Sequence, residues 1–186
     1  MFAYIRKKKI EDFMKLTGKR ILMFVDNIYE DLELLYPKYR LIEEGAEVIV
    51  AGSEAGKVYL GKHGYPVKSD ACYDELKSDD FDALVIPGGF APDKLRRSDN
   101  VLTLTKEIFE QGKLVAHICH AGWIPISAKI MNGYTTTSTP GIKDDLINAG
   151  AKWINKSVVI DRNMISSQKP DDLPDFCKAI IEYLSK

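Results

Sequence analysis

The chain has 186 residues, 45% of them hydrophobic and 28% charged, with a formal net charge of −1. That length is enough to bury one full core and suits one domain or slightly more. The near-neutral charge gives no ground for a nucleic-acid partner, and no apolar run approaches the roughly 18 residues of a membrane span.

Three cysteines without regular spacing argue against a disulfide framework. Residues 1–9 carry charge with no apolar region behind them, which argues against secretion. A reducing cytoplasm fits and would keep the cysteines as thiols. Residues 1–18 read as an N-terminal extension to a domain spanning 19–186. Its first part, 1–13, carries Phe2, Ile5, Ile10 and Phe13. Those residues suit either a short helix packed on a neighbour or an unordered appendage. Residues 14–20 then open naturally into a first strand.

From there strand and helix patterns alternate. Residues 21–25 (Ile-Leu-Met-Phe-Val) form a short continuous apolar run suited to a strand buried on both faces. Leu32, Leu34, Leu35, Tyr39, Leu41 and Ile42 recur at helical spacing, and Gly45 supplies a stop. Residues 48–51 make a second strand, and 57–68, with Gly61 and Gly64, suggest a small hairpin. Residues 83–86 are a third buried strand, stopped by Pro87-Gly88-Gly89. Residues 101–110 read as a helix, 114–118 as a strand, and 125–130 as part of the helix that follows. Residues 134–137 are rich in strand formers, and 144–149 look helical up to Gly150. Residues 158–160 and 164–166 flank a hairpin turn, and 175–184 close the chain as an amphipathic helix. Strands separated by helices predict an α/β fold with one mostly parallel sheet covered on both faces.

The most telling stretch is Val115-Ala116-His117-Ile118-Cys119-His120-Ala121-Gly122. A buried strand that breaks into Cys-His and then small residues predicts a nucleophile elbow with sulfur as the nucleophile. A helix N-terminus behind Cys119 would stabilise its thiolate and lower its pKa. His120 is either a base beside it or a surface histidine. His117 reads as a strand residue, and the tight Cys/His cluster lacks the distant partners of a structural zinc site. Cys72 and Cys177 read as small buried hydrophobes. Gly88-Gly89 is either a plain turn or a place where the Gly89 N–H joins that of His120 to bind an oxyanion. Glu30, Asp31 and Glu33 begin a helix, where solvated or capping acids are expected. One of them turned toward the cysteine would favour the thiolate by donating a hydrogen bond to it. Asp93 either begins a loop or helix or orients a histidine as the third member of a relay. Asp26, Pro87-Gly88-Gly89 and Cys119 all sit just past strand ends, where sites gather in open parallel sheets.

Residues 27–37, Pro87-Gly88-Gly89-Phe90-Ala91-Pro92-Asp93, Ile118-Cys119-His120 and Pro140-Gly141-Ile142-Lys143-Asp144-Asp145 together resemble the PfpI family. This is the intracellular cysteine peptidase/amidase branch of the DJ/PfpI superfamily, related to class I glutamine amidotransferases. The resemblance runs from about residue 19 to the end of the chain. It implies a flavodoxin-like three-layer α/β/α sandwich, no cofactor or metal, and self-association as a dimer or higher homo-oligomer. It implies Cys119 as nucleophile, Glu33 as the acid on its sulfur and His120 as the following histidine. It also implies an acid from a neighbouring subunit at the place of Asp93, where the family more often has Glu. Ala121-Gly122-Trp123 replaces a commoner Gly-Pro pair. The function expected is a cysteine-dependent hydrolase or lyase acting on small reactive carbonyls or their protein adducts. The alternatives are an ATP-independent peptidase/amidase acting on peptides and a non-enzymatic redox sensor or chaperone.

Overall fold

The computed structural model describes residues 14–186; both readings of 1–13, as a short helix or as an unordered appendage, lie outside them. Leu16 is fully buried, and its N–H donates to the Glu44 carbonyl at 2.8 Å, so the chain is already seated on the core when it enters β1. In chain order come β1 (Arg20–Phe24), α1 (Asp31–Glu43), β2 (Glu47–Gly52), β3 (Val58–Leu60), β4 (Pro66–Lys68), β5 (Ala71–Cys72) and β6 (Ala83–Ile86). After them follow α2 (Ala91–Leu95), α3 (Asp99–Glu110), β7 (Leu114–Ile118), a 3₁₀ turn at Cys119–Gly122, and α4 (Trp123–Ser127). The last third holds β8 (Thr135–Thr136), α5 (Lys143–Asn148), β9 (Lys152–Trp153), β10 (Val158–Asp161), β11 (Met164–Ser167) and α6 (Leu173–Leu184).

Seven strands make the main sheet, in the order β10-β11-β7-β6-β1-β2-β5. All neighbours are parallel except β10 against β11. α1 and α6 pack together over one face, and α3, α4 and α5 lie on the other, giving the expected three layers. The central strands are apolar and buried on both faces, as a sheet covered twice requires. From β1 the chain moves outward to β2 on one side and later returns on the other side as β6. The switch point therefore lies between β1 and β6. The strand ends at Phe24, Ile86 and Ile118 lie side by side there, because β6 pairs with both β1 and β7.

Several boundaries depart from the sequence reading. The helix after the elbow is Trp123–Ser127, not 125–130, because the chain turns left-handed at Lys129 (φ 62°). The strand expected at 134–137 shrinks to Thr135–Thr136, which pairs with Lys152–Trp153 in a small ribbon of its own. The helix read at 144–149 begins and ends one residue earlier, stopping before the positive-φ Gly150. α6 starts at Leu173, two residues early, because Pro174 is tolerated in a first helical turn. β5, β9 and α2 are too short to leave a periodic signal. Glu30, Asp31 and Glu33, expected to be solvated or capping, are all buried. Glu30 does cap, its side chain accepting from the Glu33 N–H at 2.9 Å, but loops from elsewhere in the chain close over all three.

Candidate active site

Three loops meet above the switch point. Residues 28–30 run between the 60–62 turn and the 88–90 loop, held by Ile28 N–H to Leu60 O (2.7 Å), Lys62 N–H to Tyr29 O (2.7 Å), Phe90 N–H to Ile28 O (2.8 Å) and Glu30 N–H to Gly88 O (3.2 Å). The Gly88-Gly89 pair is more than a turn. A β-carbon on Gly88 would lie 2.5 Å from Glu33 Oε2 and 2.8 Å from Cys119 Cβ. Gly89 has φ +80°, and a β-carbon there would meet the backbone of residues 28–30. The two glycines are what let Glu33 and Cys119 approach each other.

Cys119 sits at the strand-to-turn corner with φ 61°, a left-handed conformation that costs a non-glycine residue on the order of 1–3 kcal/mol. The N–H groups of His120 and Gly89, read from the sequence as oxyanion donors, face the Cys119 sulfur and favour its charged form. His120 Nδ1 lies 3.2 Å from Sγ, and its ring tilts against Trp123 at a centroid distance of 5.3 Å. Glu33 is fully buried beneath the sulfur; its Oε2 accepts from the Gly88 N–H at 2.8 Å, and its Oε1 has no hydrogen-bond partner of good geometry.

Electrostatics here are set by burial. Removal from water pushes the Glu33 carboxyl up to about 8, so it holds its proton at neutral pH. Burial, with the Glu33 charge second, pushes the Cys119 thiol up to about 12, while the two N–H groups pull it back. The expected lowering by a helix terminus is thus outweighed: the turn at Cys119 leads into a helix of only five residues. A neutral Glu33 removes its charge from the thiol's surroundings and leaves a carboxyl proton that a thiolate can accept as a hydrogen bond. Desolvation, then the Lys62 charge, holds His120 below its ordinary value, so it is neutral at pH 7 and able to take the thiol proton. His117, fully buried under the site, is pushed down to about 4 by burial alone and stays neutral.

The sulfur opens into a small pocket of about 120 Å³ lined by Glu30, Lys62, Gly89, Phe90, Cys119, His120 and Trp123. Two larger hollows elsewhere, about 490 and 620 Å³, contain no cysteine or histidine. The structure thus brings together Cys119, His120, Glu33 and Gly89. Asp93 stands apart, its carboxylate pairing with Arg97 one turn further along the chain. Trp123, in the segment expected to reshape the pocket wall, does line it, whereas Lys62 was not foreseen as part of this pocket. Gly61 and Gly64 signalled a tight turn at Lys62, but pairing of 60–62 with 28–30 is a long-range contact without a local pattern. Glu30, Asp31 and the exposed His63 place ligand atoms within 4.8 Å of one another. Both Asp31 oxygens already accept backbone N–H bonds, so this group is a structural clamp.

A model of the DJ-1/PfpI family matches residues 19–183. The chain is 45% identical over 165 residues to "Deglycase PH1704" of Pyrococcus horikoshii, covering 89% of this chain and 99% of that one. Among solved structures it resembles a two-domain protein of Anabaena variabilis with DJ-1/ThiJ/PfpI-like and ferritin-like domains. That match has a TM-score of 0.88 and 38% identity and covers 90% of this chain, but only 48% of the other. It also resembles Drosophila melanogaster DJ-1beta, with a TM-score of 0.85 and 28% identity over 91% of each chain.

Proposed function

The chain belongs to the DJ-1/PfpI family, and from that premise we propose that it is a cysteine-dependent hydrolase or lyase of the deglycase type. Its substrates are small reactive carbonyls or the adducts they leave on protein amines and thiols, and Cys119 is the nucleophile. The observation that carries this reading is the Cys119 pocket. It is small and mostly apolar, has the Cys119 sulfur and a neutral imidazole in its lining, and has the buried Glu33 carboxyl beneath the sulfur. A site of this size favours a small electrophile over a folded polypeptide.

The first step is the same for an adduct carbonyl and for an amide. His120 Nδ1 takes the thiol proton as the sulfur adds to the carbonyl carbon, and the carbonyl π pair moves onto oxygen. The Gly89 and His120 N–H groups are close enough to the sulfur to serve the new oxyanion as the thiolate charge is spent. With an amide, the oxyanion re-forms its C=O as the C–N bond breaks, and the His120 imidazolium gives its proton to the departing amine. Water, deprotonated by His120, then cleaves the thioester and returns the thiol. With a free carbonyl nothing departs, and the imidazolium protonates the oxyanion to give a hemithioacetal. Glu33 keeps the base of the site neutral and hydrogen-bonds sulfur whenever sulfur carries charge.

The catalytic domain in this reading spans 19–186 behind the extension 1–18, works in a reducing cytoplasm, and self-associates as a dimer or larger homo-oligomer. Exposed Ile28, Leu32 and Phe90 near the pocket mouth favour such an assembly. Asp93 of one subunit would then orient His120 of another. Among the described residues no helix is long and apolar enough to cross a membrane.

The test is release of free amine from N-acetyl-lysine previously modified with methylglyoxal. Wild type should release many equivalents per enzyme, and Cys119→Ser none. A wild type that leaves the adduct intact but cleaves a fluorogenic peptide amide would replace this reading with the peptidase one.

A further inference from the structure

The mechanism above leaves one charge in the pocket without work. Lys62 lines the same small cavity as Cys119, between the apolar walls of Phe90 and Trp123. Among the described residues its ammonium pairs with no carboxylate, although lysines nearby in sequence or space, Lys57 and Lys94, each have one. Its charge is nevertheless felt at the reacting centre, at both Glu33 and His120. The remaining charged side chain of the lining, Glu30, is turned to other partners. One of its oxygens accepts the Glu33 N–H at 2.9 Å, and the other lies 4.0 Å from His63 Nε2.

The backbone at Lys62 is also held in place by more than its own turn. Its N–H donates to Tyr29 O at 2.7 Å, and Gly61 N–H to Tyr65 O at 2.9 Å. The buried Asp31 carboxylate then clamps the turn from below, accepting from His63 N–H at 2.9 Å and Tyr65 N–H at 3.1 Å. Gly61 has no room for a side chain because that carboxylate occupies the space a β-carbon would need. The backbone of Lys62 is thus fixed beside the nucleophile, and its exposed ammonium, with no internal counter-ion among the described residues, is available to an anion that arrives with the substrate.

We propose that Lys62 is the specificity-determining residue of the Cys119 pocket: it binds an anionic group attached next to the reacting carbon, so that the favoured substrates are 2-oxo acids and similarly charged carbonyl adducts. The identity of the reaction rests on the carbonyl chemistry proposed above; the preference for an anion does not.

The experiment separates the two. Iodoacetate and iodoacetamide are nearly the same size and differ in charge, and each alkylates the thiolate as sulfur displaces iodide. The ratio of their rate constants at Cys119, followed by mass spectrometry, is compared with the ratio at free N-acetylcysteine. A change in thiol ionisation acts on both reagents and cancels in that ratio. Wild type should favour iodoacetate relative to the free thiol. Lys62→Met should lower its ratio about fivefold, as expected for one unit charge at contact range near water, and Lys62→Arg should keep it. Equal ratios in wild type and Lys62→Met overturn the proposal, as does a Lys62→Arg variant that behaves like Lys62→Met.

Turnover supplies the second arm. In Lys62→Met the rise in KM for glyoxylate should exceed that for methylglyoxal about fivefold. Equal effects on the two carbonyls overturn the substrate class. If wild type consumes neither carbonyl while the alkylation ratio still depends on Lys62, the carbonyl reading falls and the anion preference stands.

Discussion

Cys119 and Cys177 are the same side chain in two settings, and burial pushes both thiols up to about 12. Cys177 lies in α6 with 1% of its surface exposed, and apart from a distant contribution from Arg40 nothing opposes that push. Cys119 sits in a strained corner where two N–H groups, an imidazole and a buried carboxyl converge on its sulfur. Burial by itself makes a thiol inert; polar partners that favour its charged form make it a nucleophile. The contrast also explains why Cys119 occupies a conformation that glycine would adopt more readily. The corner lifts the sulfur out of the sheet toward the pocket.

The largest effect should come from removing the nucleophile. Cys119→Ser should lower turnover by about a thousandfold or more, whereas Cys177→Ser should stay within about twofold of wild type. Steady-state kinetics on folded, reduced protein decide this, and comparable losses in the two variants would erase the contrast.

Glu33 extends the comparison to the partner acid. Its folded pKa of about 8 stands above the ordinary carboxylate value of 4.5. The stabilising contribution of the protonated form is therefore complete below 4.5 and is lost as pH rises through about 8. Denaturant unfolding should show wild type losing about 5 kcal/mol across that range, with Glu33→Gln lacking the decline. His117 has the opposite sign. A histidine depressed to about 4 from 6.5 contributes stability that is present above 6.5 and lost as pH falls through 4. The loss should be about 3 kcal/mol, and His117→Asn should flatten that acid limb if the variant folds. A flat wild-type profile in either window would show that the buried group is charged or solvated.

His120→Ala should slow turnover about a hundredfold while leaving the fold intact. A variant with full turnover would move proton transfer to another group. The smallest change is Cys177→Ala, which removes a packed sulfur and no chemistry. It should cost about 1 kcal/mol of stability with unchanged kinetics.

Much of this was legible in the sequence because it is local. The apolar runs at 21–25, 83–86 and 114–118 announce buried strands, and the abrupt Ile118-Cys119-His120 break announces the elbow. Glu33 and Gly89 entered the candidate site through position and resemblance, and both meet Cys119. What stayed hidden depends on distant residues. Burial of Glu30 and Asp31 is produced by the 60–65 turn, which also brings Lys62 to the pocket. The direction of the Cys119 shift required knowing how short α4 is and how deeply the sulfur lies. Asp93 illustrates the remaining limit: within one chain it faces Arg97, and a role at His120 calls for a second subunit.

The most direct measurement is methylglyoxal consumption by wild type, Cys119→Ser and Cys177→Ser, side by side and without added thiol. The account predicts consumption far beyond one equivalent by wild type and Cys177→Ser, and none above background by Cys119→Ser. Turnover that survives in Cys119→Ser, or its absence from folded, reduced wild type, would contradict the assignment of carbonyl chemistry to Cys119.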